Sequence, residues 1–260
     1  MENNIENKTE NTIPNNLNNK KEKSKVSVGI VITLVIMTLI IGVLIGAIVG
    51  VAINKSNQTH TCNETPKSQN RSRDGIPYAE KPIIYLYPQE KTELTVTLGK
   101  PENLTCSYPE YKNGWNVVAN PDGTLVDKES GRELYSLYWE GLQTEPVNME
   151  EGFVVKGTDT AKFLEEKLAI LGLTDKEAEE FIVYWLPELQ NNEYNYIRFA
   201  TIDEINTNMP LDFSVNPDTL IRVLMQYKPL DEKIEVREQK LETPARSGFV
   251  AVEWGGTEIK

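Results

Sequence analysis

Two glutamates stand where a carboxylate could do chemistry. Glu140 lies in Tyr138-Trp139-Glu140-Gly141 and Glu253 in Glu253-Trp254-Gly255-Gly256, each beside a tryptophan and just before glycine or one residue from it. Paired carboxylates next to aromatic platforms are the equipment of a glycoside hydrolase. That reaction needs the two carboxyl groups about 5–10 Å apart across an open groove, one of them kept protonated by an apolar setting. Two arginines are equally out of place. Arg222, in Leu220-Ile221-Arg222-Val223-Leu224, shares a strand face with Leu220 and Leu224, and Arg198 shares one with Tyr196 and Ala200. A guanidinium held against a core is costly unless a carboxylate meets it, and Glu140 and Glu253 are the candidate partners. The favoured reading is a buried Arg–Glu pair that fixes strand register. The alternative keeps Glu140 and Glu253 for hydrolysis. Exposed Trp115, Trp139 and Trp254 would instead stack on sugar faces, giving a binding surface with Arg198 and Arg222. Binding is the expectation, ahead of catalysis.

Other chemistries are excluded by missing residues. The single histidine, His60, precedes the acidic body of the chain, so Ser-His-Asp and Cys-His catalysis, His-ligated metals and a histidine pH switch have no imidazole there. Ser-x-x-Lys, Gly-x-Ser-x-Gly, Gly-x-x-x-x-Gly-Lys and Gly-x-Gly-x-x-Gly are absent, as is an Asp-x-Asp-x-Asp-Gly calcium loop. No cofactor and no metal are expected. The two cysteines, Cys62 and Cys106, could close one loop. Cys106 alternates with Leu104 and Tyr108 and is read as an inert packed thiol, leaving Cys62 to crosslink two copies.

Positioning any such site requires a folded body, and composition locates it. All 21 aromatic residues lie at Tyr78 or beyond. Ile83, Tyr85 and Tyr87 alternate with Ile84 and Leu86, so both faces of that strand are apolar and it is interior. Leu94, Val96 and Leu98 mark a half-buried strand, and Trp115–Ala119, 124–126 and Leu134–Trp139 continue a meander through an Asn120-Pro121-Asp122-Gly123 turn. Ala161, Leu164, Leu168 and Leu171 then fall on one helical face, with Gly172 to end it. Thr174 and Glu177 form a capping box ahead of a second stripe, Ala178, Phe181, Ile182 and Trp185, which Pro187 should stop near Leu186. Strands return at Tyr194–Thr201, Leu211–Val215, Thr219–Tyr227 and Phe249–Trp254. The sum is an α+β fold, a mainly antiparallel sheet or sandwich with a two-helix insert over one face.

Ahead of that body, residues 26–53 carry no charge for 28 residues. A helix needs about 20 apolar residues to cross a bilayer, whereas a cleaved signal would have about 7–15 and then small residues. The run is therefore read as an uncleaved transmembrane helix. Lys20, Lys21, Lys23 and Lys25 crowd its N-terminal flank while Lys55 stands alone on the other, placing the N-terminus in the cytoplasm and the body outside. Gly42, Gly46 and Gly50 recur every four residues, a face on which two copies could pair. Residues 1–25, with eight Asn, read as a disordered cytoplasmic tail and 54–80 as a flexible polar spacer, leaving 81–260 as one extracytoplasmic domain. Removing the nine basic and seven acidic residues of 1–80 from the chain's 27 and 39 leaves 18 against 32, a net of −14 for 81–260. That field repels nucleic acid.

The motifs KPIIYLYP (81–88), GWNV (114–117), PDGTL (121–125), YWEG (138–141), YWLP (184–187) and EWGG (253–256) follow one another along the body. In this succession the chain resembles an uncharacterised, mostly bacterial family of membrane-anchored domains. The resemblance spans about residues 81–260 and implies the architecture; it assigns no catalytic role. The expected protein is a single-pass, membrane-anchored binding module at the cell envelope, recognising a surface glycan or a protein.

Overall fold

Alternation with a period of two governs the architecture, because the central strands bury both faces. The computed structural model describes residues 76–259, together with the backbone of Ser72–Arg73. These residues belong to one compact unit. The tail 1–25, the apolar run 26–53 with Gly42, Gly46 and Gly50, and Cys62 of the spacer lie outside the described residues. Among the described residues no helix is long and apolar enough to cross a membrane.

The strands are β1 (Ser72–Arg73), β2 (Ile76–Tyr87), β3 (Thr92–Leu98), β4 (Leu104–Tyr108), β5 (Trp115–Ala119), β6 (Leu125–Asp127), β7 (Glu133–Leu134), β8 (Leu137–Leu142) and β9 (Glu151–Lys156). After helices α1 (Thr160–Ile170) and α2 (Asp175–Leu189) come β10 (Tyr194–Phe199), helix α3 (Ile202–Asn208), β11 (Leu211–Phe213), β12 (Thr219–Leu230), β13 (Arg237–Glu238) and β14 (Val250–Glu258). They form a nine-stranded sheet in the order β13-β9-β10-β12-β14-β2-β8-β4, with β1 pairing β2, and a five-stranded sheet in the order β11-β3-β5-β6-β7. The fold is α+β, mostly sheet. Pairing is mainly antiparallel, with β12–β14 and β13–β9 parallel.

Parity sorts the side chains into two cores. Ile83, Tyr85, Val223, Met225, Val252 and Trp254 face α1 and α2. Their neighbours Ile84, Leu86, Leu224 and Ala251 face the five-stranded sheet, where Leu94, Val96, Trp115 and Val117 meet them. The helix pair covers one face as the sequence pattern predicts, and the smaller sheet covers the other.

The helix ends follow the local rules. Leu173 donates to the Leu168 carbonyl at 3.1 Å and Gly172, at φ 87°, to that of Ala169 at 3.1 Å, which closes α1 in a Schellman turn. At the start of α2, the Thr174 amide donates to the Glu177 carboxylate at 2.8 Å in the expected capping box. The expected stop at Leu186 is corrected: α2 runs to Leu189 with Pro187 inside its last turn. The carbonyl that Pro187 leaves without an amide is that of Val183, a residue 69% exposed and so on the solvent side of the helix. Helix α3 and strand β9 were not foreseen. Seven residues are too few to display a helical period, although Thr201 and Glu204 carry a second capping box.

One close approach ties β14 to α2. A Cβ placed on Gly256 would lie 2.5 Å from Cζ2 of the fully buried Trp185. Gly256→Ala is accordingly expected to lower unfolding free energy by about 1–3 kcal/mol through overpacking, read as a shifted midpoint in chemical denaturation.

Candidate functional site

The two acids singled out by sequence lie on opposite faces of the large sheet. Across β14, β2 and β8, Glu253 is paired with Ile84 and Ile84 with Leu137, whereas Trp254 is paired with Ile83 and Ile83 with Tyr138. Residues opposite one another share a face, so Glu253 points toward the smaller sheet. Glu140 alternates with Trp139, whose indole Nε1 donates to Glu253 Oε1 at 2.9 Å, and so points away from it. The structure brings no shared groove to Glu140 and Glu253.

Glu253 has a structural partner instead. Arg222 Nε donates to Glu253 Oε2 at 2.6 Å, and the two side chains are 0% and 5% exposed. They sit opposite one another in the parallel β12–β14 ladder. Arg222 Nη1 also donates to Asn206 Oδ1 at 2.7 Å and to the Met209 carbonyl at 2.9 Å. Arg198 finds neither expected acid. It holds Glu204 of α3 in a two-pronged pair at 3.2 and 3.0 Å and donates to Gln226 Oε1 at 2.6 Å. Both buried arginines are therefore tied to α3. The tryptophans are not platforms: Trp115, Trp139 and Trp254 are 2%, 4% and 0% exposed, and all three belong to the cores.

Cys106 is corrected as well. It is a disulfide cysteine, not an inert thiol, and the chain's only other cysteine is Cys62. Among the described residues no His/Cys/Asp/Glu group is arranged to hold a metal ion.

The polar groups that do converge with access to solvent lie on the helix side, along the seam where α2 meets β2 and β8. Tyr85 donates from its hydroxyl to Glu180 Oε2 at 2.5 Å. Tyr87 bonds Glu177, which also receives Arg246 through two contacts at 3.0 and 2.8 Å. The Arg246 guanidinium lies 5.3 Å from the Tyr87 ring centroid. At the other end the Lys81 ammonium sits over the rings of Tyr138 and Tyr184, at 5.6 and 5.3 Å. Tyr138 bonds Glu140, whose Oε1 accepts the Lys81 amide at 3.4 Å. Tyr135 closes the row, its ring centroid 6.3 Å from that of Tyr85.

Electrostatics keep these phenols neutral. Burial, then Glu180, push Tyr85 far above the ordinary tyrosine range, and burial with Glu177 or Glu140 does the same to Tyr87 and Tyr138. They act as hydrogen-bond donors and not as bases. Lys81 is held at φ 62°, a left-handed conformation that disfavours a side chain, and precedes Pro82, which restricts it further. It lies where the β2 ladder shifts register between Ala79 and Ile83. The signal for this seam was in the sequence: the KPIIYLYP, YWEG and YWLP segments each contribute to it.

Three outcomes follow from these contacts. Glu253→Gln, which keeps an acceptor for Trp139 but strands the Arg222 charge, is expected to cost about 3–5 kcal/mol. Adding Arg222→Met should recover most of that loss, as measured by denaturant unfolding of both variants. For Glu177 and Glu204 burial alone would raise the carboxyl, yet Arg246 or Arg198, together with the Thr174 or Thr201 amide, hold each below its ordinary value. Their folded pKa values are depressed, so their stabilisation is present above the unfolded value and lost as pH falls through the folded one. The melting temperature should drop between about pH 5 and pH 3, and Arg246→Gln should flatten that limb.

Comparison with known proteins is sparse. No protein-family model matches the chain, and no solved structure matches it. The chain is similar to a protein of Butyrivibrio fibrisolvens described as "Uncharacterized protein in bglA 3'region", 45% identical over 64 residues. The match covers 24% of this chain and 65% of that protein, so the chain spans just under two thirds of its relative's length.

Proposed function

We propose that the protein is a single-pass membrane protein whose C-terminal body works outside the cell as a binding module at the envelope. Its partner is a surface glycan or a protein, and no cofactor enters. The anchor is the uncharged run 26–53, with the lysine-rich flank in the cytoplasm. Disulfide-bonded Cys106 supports the outward placement, since such bonds persist in oxidising compartments. Gly42, Gly46 and Gly50 would let two anchors pack closely.

The observation that carries the binding reading is the seam beside α2. Aromatic rings, carboxylates and cations gather there with one ring, Tyr135, 55% exposed. Phenols kept neutral by burial and glutamates already bonded to them suit recognition better than proton transfer.

Protease added to intact cells is expected to remove the body from the membrane and leave residues before the span protected. In the same cells, Cys106 should react with a maleimide only after reduction. Protection of the body contradicts the outward placement, and labelling without reduction contradicts the disulfide that supports it.

A further inference from the structure

Resting on that reading and going beyond it, we propose that the seam beside α2 binds a neutral glycan chain. Tyr135 is the stacking platform and Glu180 the acceptor for sugar hydroxyls. A saccharide ring presents an apolar C–H face and a rim of hydroxyl donors, so its site needs an open aromatic face next to a fixed acceptor. Tyr135 provides the first. It is the most exposed of the large apolar residues on the seam, 55%, and its ring is tilted 40° against Tyr85. Tyr85 and Tyr87 continue the row, their rings 6.3 Å apart and within 3° of parallel.

Glu180 provides the second. Its Oε2 accepts the hydrogen bond of the Tyr85 hydroxyl at 2.5 Å, which fixes the side chain, while for Oε1 no hydrogen bond is seen among the described residues. A carboxyl oxygen held in place is an acceptor that a sugar hydroxyl can meet without reordering the side chain.

Charge selects a neutral chain over a polyanion. Residues 81–260 carry a net of −14, and Glu177 and Glu180 line the seam itself. Its two cations are committed: Arg246 is locked on Glu177, and Lys81 rests on Tyr138 and Tyr184. Neither is placed to offset a uronate or phosphate polymer, which the field would repel.

The test uses the full chain in detergent micelles, titrated calorimetrically with cellohexaose, xylohexaose and chitohexaose, and in parallel its retention on isolated cell walls. One of the three sugars is expected to bind. Tyr135→Ala should weaken that binding by about tenfold or more at an unchanged melting temperature, and Tyr135→Phe should restore it. Glu180→Gln should weaken it comparably. Sugar binding that Tyr135→Ala leaves intact overturns the site. Wall retention that all three sugars fail to compete also overturns it, while leaving the binding-module reading in place. Absence of both sugar binding and wall retention removes the two together.

Discussion

A buried charge pair sets the terms for everything around it. Arg222 and Glu253 stand opposite one another on the two central, parallel strands, cut off from water. Neither charge is tolerable alone, so β12 and β14 have one acceptable register. A slip by one residue would turn every side chain of a strand to the other face and separate the charges in an apolar layer. The remaining valences recruit neighbours: Trp139 from β8 meets the carboxylate, while Asn206 and the Met209 carbonyl meet the guanidinium. One pair thereby fixes two strands, a third nearby, and the position of α3.

Helix α3 would not persist by itself, since seven residues fall well short of a self-supporting helix. It is held because Glu204 serves twice, bonding the Thr201 amide at the cap and pairing with Arg198. Glu177 repeats the arrangement at the head of α2, with Thr174 and Arg246. In both places a residue chosen by local helix geometry is also the counter-ion for an arginine outside the helix, six residues back for Glu204 and 69 residues on for Glu177. Ile205 and Met209 then drop into the core between the sheets.

How much of this could be read from the chain follows from how local each signal is. The alternation of Ile83 to Tyr87, the Leu164–Leu168 stripe, the Thr174–Glu177 cap and the Asn120–Gly123 turn depend on neighbours within a few residues, and each was legible. The arginines were visible as anomalies, but which carboxylate meets Arg222 is a matter of topology, and the capping-box spacing of Thr201 and Glu204 says nothing of a pairing with Arg198. The tryptophans misled for a different reason. With helices on one side of the large sheet and a second sheet on the other, both Trp139 and Trp254 are core although they lie on opposite faces, and Trp115 packs from the second sheet. Glu140 and Glu253 look alike in their motifs, each one residue from its tryptophan, and which face each takes is set by how β14, β2 and β8 pair, not by the motif. The tyrosine seam escaped because its members come from β2, β8, α2 and the segments holding Tyr135 and Arg246, motifs visible one by one that only the fold brings together.

Strand β14 has a further consequence for how the polypeptide is made. It lies between β12 and β2, so the strands before it form two separate half-sheets with raw inner edges. A ribosome delivers Val250–Glu258 after every other strand of the domain, and until then nothing joins the halves. The nascent chain cannot close its sheet piecemeal as it emerges. Closure of the large sheet waits on this strand, whose arrival pairs both inner edges at once.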